Sequence, residues 1–152
     1  MTGTTVESLN MTTATETKTA ASSVQPARLA IWGAIALMVN IGIFLIGDAQ
    51  GASWDVGQPY PISLPAVVAA TLVVFVVLGA LVWFISAKRP GFARLAAWAG
   101  LAVGVLSMLS LINAADVTTA VSLGAMHLVT AIAWVVALIG RDPRTIPTRE
   151  QP

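Results

Sequence analysis

Residues 63–91 read SLPAVVAATLVVFVVLGALVWFISAKRPG, and this stretch decides the fold. Its centre, Val73-Val74-Phe75-Val76-Val77, has the composition of a β-strand. No turn signal interrupts it, however, until Lys88-Arg89-Pro90-Gly91. An apolar segment of roughly 20 residues matches a helix crossing a bilayer core about 30 Å thick. Lipid offers no partner for an open strand, so length decides for helix. Ser63 is placed to cap it, and Pro65 falls in the first turn, where a missing N–H costs nothing. At the far end Pro90 disfavours helical geometry at Arg89, and the two cations complement the helix C-terminus.

Three further runs of the same character flank this one. The expected spans are about 28–47, 64–87, 92–112 and 117–140. The whole chain is 57% hydrophobic and 10% charged, against about 45–50% and about 25% in soluble domains. All basic residues fall on one side of the four runs. Lys18 and Arg28 precede the first, Lys88, Arg89 and Arg94 lie between the second and third, and Arg141, Arg144 and Arg149 follow the fourth. The other two connections hold only Asp48, Asp55 and Asp116. Basic loops stay cytoplasmic during insertion, so the expected topology is an all-α four-transmembrane-helix bundle, N-in and C-in.

The same composition excludes several classes. Net charge is +1, and topology already accounts for the cations, so no nucleic-acid footprint is expected. The absence of Cys removes thiolate catalysis, disulfides and thiolate-held metals. The first run, Leu29 to Ile46, is interrupted only by Asn40 and is too long for a cleavable signal sequence. Residues 1–27, rich in Thr, Ser and Ala, are expected to be a disordered cytoplasmic tail. A short polar tail is expected over 141–152. The connection from Asp48 to Ser63 carries Trp54 and Tyr60 and reads as an irregular segment at the outer interface, where aromatic rings favour headgroup depth. Asn113 suits a left-handed helix end, and Asp116 suits a cap on the N–H of Thr118 or Thr119.

Few side chains inside the spans carry chemistry. The sole His is His127, roughly 16 Å along the fourth span from Asp116 and hence near mid-bilayer. Its face includes Ala120, Leu123, Gly124, Thr130, Ala131 and Trp134, small enough in part to pack on another helix. Asn40 lies at nearly the same depth on the first span. A hydrogen bond between Asn40 and His127, or from His127 to a Ser/Thr neighbour such as Thr130, would give a polar clasp worth about 0.6–2 kcal/mol. The functional reading of the same trio is a ligand or proton site. Haem ligation would need a second axial group, the acidic residues at the outer rim read as solvated charges, and no hydrolytic constellation is present. No cofactor or metal is therefore expected. The third span carries Gly100-x-x-x-Gly104 followed by Ser107, a flat groove suited to packing on the fourth.

The stretch from Ser63-Leu64-Pro65-Ala66, through the Ser107–Asn113 end of the third span, to Met126-His127-Leu128-Val129 resembles an actinobacterial family of four-helix membrane proteins catalogued as a domain of unknown function (DUF 6069). The resemblance spans the first to the fourth run and implies a bacterial inner-membrane location, with no activity, catalytic residue or cofactor. The leading expectation is a non-enzymatic accessory or interaction protein, its partners being the lipid bilayer and a membrane protein or a second copy of the chain. The rival is a small-solute or proton carrier using His127 and Asn40.

Overall fold

The computed structural model describes residues 24–89 and 91–139. Most of the expected N-terminal tail, Pro90 and the expected C-terminal tail lie outside these residues. Among the described residues four helices are each long and apolar enough to cross a membrane: α1, Pro26–Ala49; α2, Leu64–Lys88; α3, Phe92–Asn113; and α4, Val117–Ile139. No strand occurs among the described residues. Large side chains such as Met38, Leu81, Phe84, Leu95 and Val103 are exposed around the outside. In water that surface would be an aggregation hazard, whereas against lipid it is the expected contact surface.

The ends of the helices follow local chemistry. α1 opens at Pro26 rather than Arg28, because proline at the first turn fits a position whose N–H has no partner. Ser63 sits at the cap of α2, but its side chain makes no capping hydrogen bond. Arg89 is extended at φ −130° and ψ 94°, the geometry imposed on a residue before proline. Gly91 then turns the chain at φ 94°, in the left-handed region. Asn113 does not take the left-handed conformation expected of it. Instead α3 tightens to a 3-10 helix over Met108–Asn113, and Ala114 is extended. The Ser107 and Ser110 hydroxyls donate to the carbonyls of Gly104 and Ser107, three residues back, at 2.8 and 2.6 Å. Such back-bonding competes with the regular ladder where the helix narrows. The Val-rich centre of α2 is helical, yet Val73–Leu78 is π-helical. Branched side chains crowd the preceding turn, and just before them Thr71 donates to the Val67 carbonyl at 2.9 Å.

α4 is the central helix. Of its most apolar stretch 44% is buried, against 6% for α3. It packs along α1 on one side and α3 on the other, and α2 lies along α1. Small residues make these contacts close: Ala36, Ala93, Ala97, Ala133 and Ala137 are all buried. Gly100 and Gly104 face α4. A Cβ at Gly104 would stand 2.9 Å from Ala131 Cβ, and one at Gly100 would overlap the Trp134 indole. Trp134 in turn donates from Nε1 to the Ala96 carbonyl at 3.0 Å. At the end where the chain enters α1, the Arg28 guanidinium donates to the Val136 carbonyl. That places a cation at the C-terminal end of α4, where the helix dipole favours it.

The connection between α1 and α2 is a strap over the opposite end, and here the expectation for Trp54 is corrected. The Trp54 ring is buried, stacked on Phe44 with centroids 4.3 Å apart and planes 12° apart, and seated on Gly47. Tyr60, by contrast, is exposed. Gly47 leaves room for the ring, since a Cβ there would stand 2.9 Å from it. Asp116 ties the strap down. Its Oδ1 accepts from the Thr119 N–H at 2.7 Å, while Oδ2 accepts from the Thr119 hydroxyl, the Ser53 N–H and the Ser53 hydroxyl. The Trp54 N–H donates to Thr119 Oγ1 at 3.0 Å, and the Ala115 N–H to the Asp55 carbonyl at 3.0 Å.

The Ser53 hydroxyl first, then the Thr119 N–H and hydroxyl, hold the Asp116 carboxyl well below the usual carboxylate range. A depressed folded-state pKa gives stability that is complete above the unfolded value of about 3.9 and lost as pH falls through the folded value. The strap should therefore be insensitive to pH between about 7 and about 5. Hydrogen exchange at the Ser53 and Trp54 amides, corrected for intrinsic rate, should show equal protection across that window. Asp116→Asn, which sets an N–H against the Ser53 donors, should lose protection at both.

Candidate functional site

Two apolar clusters form the core, and a polar layer separates them. Toward the Arg28 end lie Leu29, Ala36, Phe75, Ala97, Trp134 and their neighbours. Toward the Asp116 end lie Phe44, Trp54, Val67, Leu123 and Met126. On α1, Asn40 falls between Ala36 and Phe44 at helical spacing, so the three share one buried face. Thr71 holds the matching position on α2, between Val67 and Phe75, and His127 and Thr130 follow Met126 on α4.

Asn40 is 2% exposed. Its amide donates both hydrogens from Nδ2, to Thr71 Oγ1 at 3.1 Å and Thr130 Oγ1 at 3.0 Å. One side chain thus joins α1, α2 and α4. The amide oxygen Oδ1 is buried and accepts no hydrogen bond from the described residues. An orphaned acceptor in a low-dielectric interior costs about 1–3 kcal/mol, more than an average interhelical bond of about 0.6 kcal/mol returns. Asn40 is therefore a poor choice for stability alone.

His127 and Asn40 do not bond each other, which corrects the direct pairing expected between them. The His127 ring turns back along its own helix, with Nδ1 2.7 Å from the Leu123 carbonyl. A carbonyl only accepts, so Nδ1 carries the hydrogen, and in the neutral ring Nε2 is then the acceptor. Nε2 makes no hydrogen bond to another described residue. Thr130, one turn on, takes the Asn40 contact instead. Thr71 was not among the residues singled out in the sequence. A Thr in a Val-rich run reads as one more β-branched residue, and only its mid-span depth hinted at a partner.

α2 and α3 do not close over this layer. They pack closely only where Gly79–Lys88 runs into the turn. Above that lies a cavity of about 760 Å³ whose lining includes Asn40, Thr71, His127 and Thr130. Its walls are apolar: Ala70, Val74 and Leu78 from α2, and Ala96, Ala99 and Val103 from α3. Gly100, Gly104 and Ser107 line it as well. Ala70, Ala99 and Val103 are exposed, so the groove opens sideways from the bundle. A second cavity of about 530 Å³, between α1 and α2, is apolar apart from Thr71 and Trp83. No group of three His, Cys, Asp or Glu side chains placed to hold a metal occurs among the described residues.

Four long apolar helices, small residues at their contacts and a lipid-compatible exterior define a multi-pass membrane protein. Residues 19–144 match the model of a family of unknown function (DUF6069), and the chain belongs to that family. No curated protein and no solved structure matches it.

Proposed function

We propose that the chain is a non-enzymatic accessory protein of the bacterial plasma membrane that acts by binding a membrane-dissolved molecule in the groove between α2 and α3. The carrying observation is that groove: two helices stand apart over a polar layer that a closed bundle would cover. An ionisable side chain such as His127 at mid-bilayer is costly and marks function by default. The observation that favours the carrier reading is that His127 lines a cavity rather than a dry helix contact. A carrier of polar solutes also needs a path, however, and the polar groups here gather in one layer between two apolar clusters. Binding suits that arrangement better than transit. With the basic ends cytoplasmic, reporter fusions after Lys88 should read internal, and those after Ala115 external. The reverse result would invert the bundle.

A photocrosslinking residue at Val103, on the groove wall, tests the binding reading in native membranes. It should give one discrete adduct that disappears when Ala70→Trp fills the groove. The same residue at Val121, exposed on α4, should give only diffuse lipid adducts. Identical diffuse patterns from the two positions would overturn the proposal.

A further inference from the structure

We infer that the groove takes an uncharged, lipid-soluble alcohol or phenol, held by donation of its hydroxyl hydrogen to His127 Nε2 beside Asn40 Oδ1. The inference rests on the binding reading above and names the ligand class.

Hydrogen-bond accounting in the polar layer carries it. Both Asn40 Nδ2 hydrogens go to Thr71 and Thr130. The Thr71 hydroxyl hydrogen goes to the Val67 carbonyl, and the His127 Nδ1 hydrogen to the Leu123 carbonyl. Only the Thr130 hydroxyl keeps a hydrogen for other use. Two acceptors stand open against it, Asn40 Oδ1 and His127 Nε2. The floor is thus richer in acceptors than in donors, and its complement is a molecule that donates. Hydroxyl groups do so without carrying charge.

Charge and depth narrow the class. Among the described residues no Lys, Arg, Asp or Glu lines the groove, so none of them would neutralise a phosphate, carboxylate or ammonium in hydrocarbon. His127 is about 15 Å along α4 from Val117, near the bilayer centre. Phospholipids and fatty acids keep their polar ends at the interface, whereas a neutral hydroxyl on an apolar body can reach mid-depth. The volume of about 760 Å³ falls within the roughly 300–1,000 Å³ of small-molecule sites. It is too small for a whole transmembrane helix, which is about 30 Å long and at least 10 Å across. The sideways opening suits entry from the lipid phase.

Because the chain has one His, imidazole ¹⁵N NMR of histidine-labelled full-length protein in nanodiscs reads His127 alone. The probes are dodecylhydroquinone and its dimethyl ether, which share an apolar body and differ in the ability to donate. Dodecylhydroquinone should bind saturably and move the Nε2 resonance toward that of a hydrogen-bonded acceptor, and the ether should do neither. His127→Leu should weaken hydroquinone binding roughly 3- to 10-fold, the range for one neutral hydrogen bond. The probe comparison on the parent protein stands even if that variant folds poorly. Equal binding of ether and hydroquinone, or an Nε2 resonance that neither probe moves, would overturn the assignment. If hydroquinone fails while Val103 still gives its discrete adduct, the ligand class is wrong and the groove remains a binding site. If both fail, the binding reading falls with it.

Discussion

Gly100→Leu should destabilise the bundle by about 1.5–4.5 kcal/mol, the sum of overpacking at roughly 1–3 kcal/mol and one lost tryptophan hydrogen bond at roughly 0.5–1.5 kcal/mol. The space a Cβ would need at Gly100 is taken by the Trp134 ring. That ring cannot step aside cheaply. Nε1 is fixed to the Ala96 carbonyl at 3.0 Å, and Phe75 meets the ring edge-on at 6.0 Å and 70°. Leucine therefore either breaks the Trp134–Ala96 bond or parts α3 from α4. Gly42 supplies the control, because nothing lies within 4 Å of a Cβ there. Gly42→Leu should be neutral or gain up to about 1 kcal/mol from helix propensity. Unfolding by SDS titration in mild detergent measures both. If Gly100→Leu unfolds with the parent, α3 does not pack on α4 through this face.

The spans were legible because two independent physical signals agree on them. Lipid thickness sets the run length, and insertion sets the distribution of Lys and Arg. Within the spans, His127 and Asn40 stood out because a polar group in hydrocarbon is costly. Which group bonds which was not legible, since it depends on the rotation of each helix about its axis. Periodicity in a Leu-, Val- and Ala-rich span barely encodes that rotation. Hence the Asn40 amide meets Thr71 and Thr130, while His127 turns to its own backbone. The groove was invisible for a related reason: it exists because α2 leans on α1 rather than α3, and Gly33 beneath Phe75 permits that. The π-helical turn at Val73–Leu78 also escaped the reading, because crowding of branched side chains predicts strain and not its resolution. The burial of Trp54 escaped a rule that holds for exposed rings. Gly47, with Ser122 facing it, was the signal for a buried one.

Trp54→Ala should cost about 3–5 kcal/mol, the range for removing a large buried aromatic side chain. The ring is 4% exposed and closes the Asp116 end of the bundle against Phe44 and Gly47. Its backbone is held at φ 58°, a region that costs a bulky residue roughly 1–3 kcal/mol and persists only where its surroundings impose it. Here they do, since the Trp54 N–H donates to Thr119 and its carbonyl accepts from the Ile62 N–H at 2.8 Å. Alanine keeps the backbone strain and loses the packing that offsets it, so the strap should loosen as well. Trp54→Phe separates the plug from an interfacial anchor. Phenylalanine retains a stack on Phe44 and removes an indole N–H that is buried without a partner among the described residues. A plug therefore predicts that Phe recovers most of the stability lost in Ala. An anchor at headgroup depth predicts the opposite, because the indole N–H is what gives tryptophan its interfacial preference. SDS unfolding of the two variants, with limited proteolysis of the strap as a second readout, decides between them. If Trp54→Ala unfolds with the parent and its strap stays protected, the ring contributes nothing to closing the bundle.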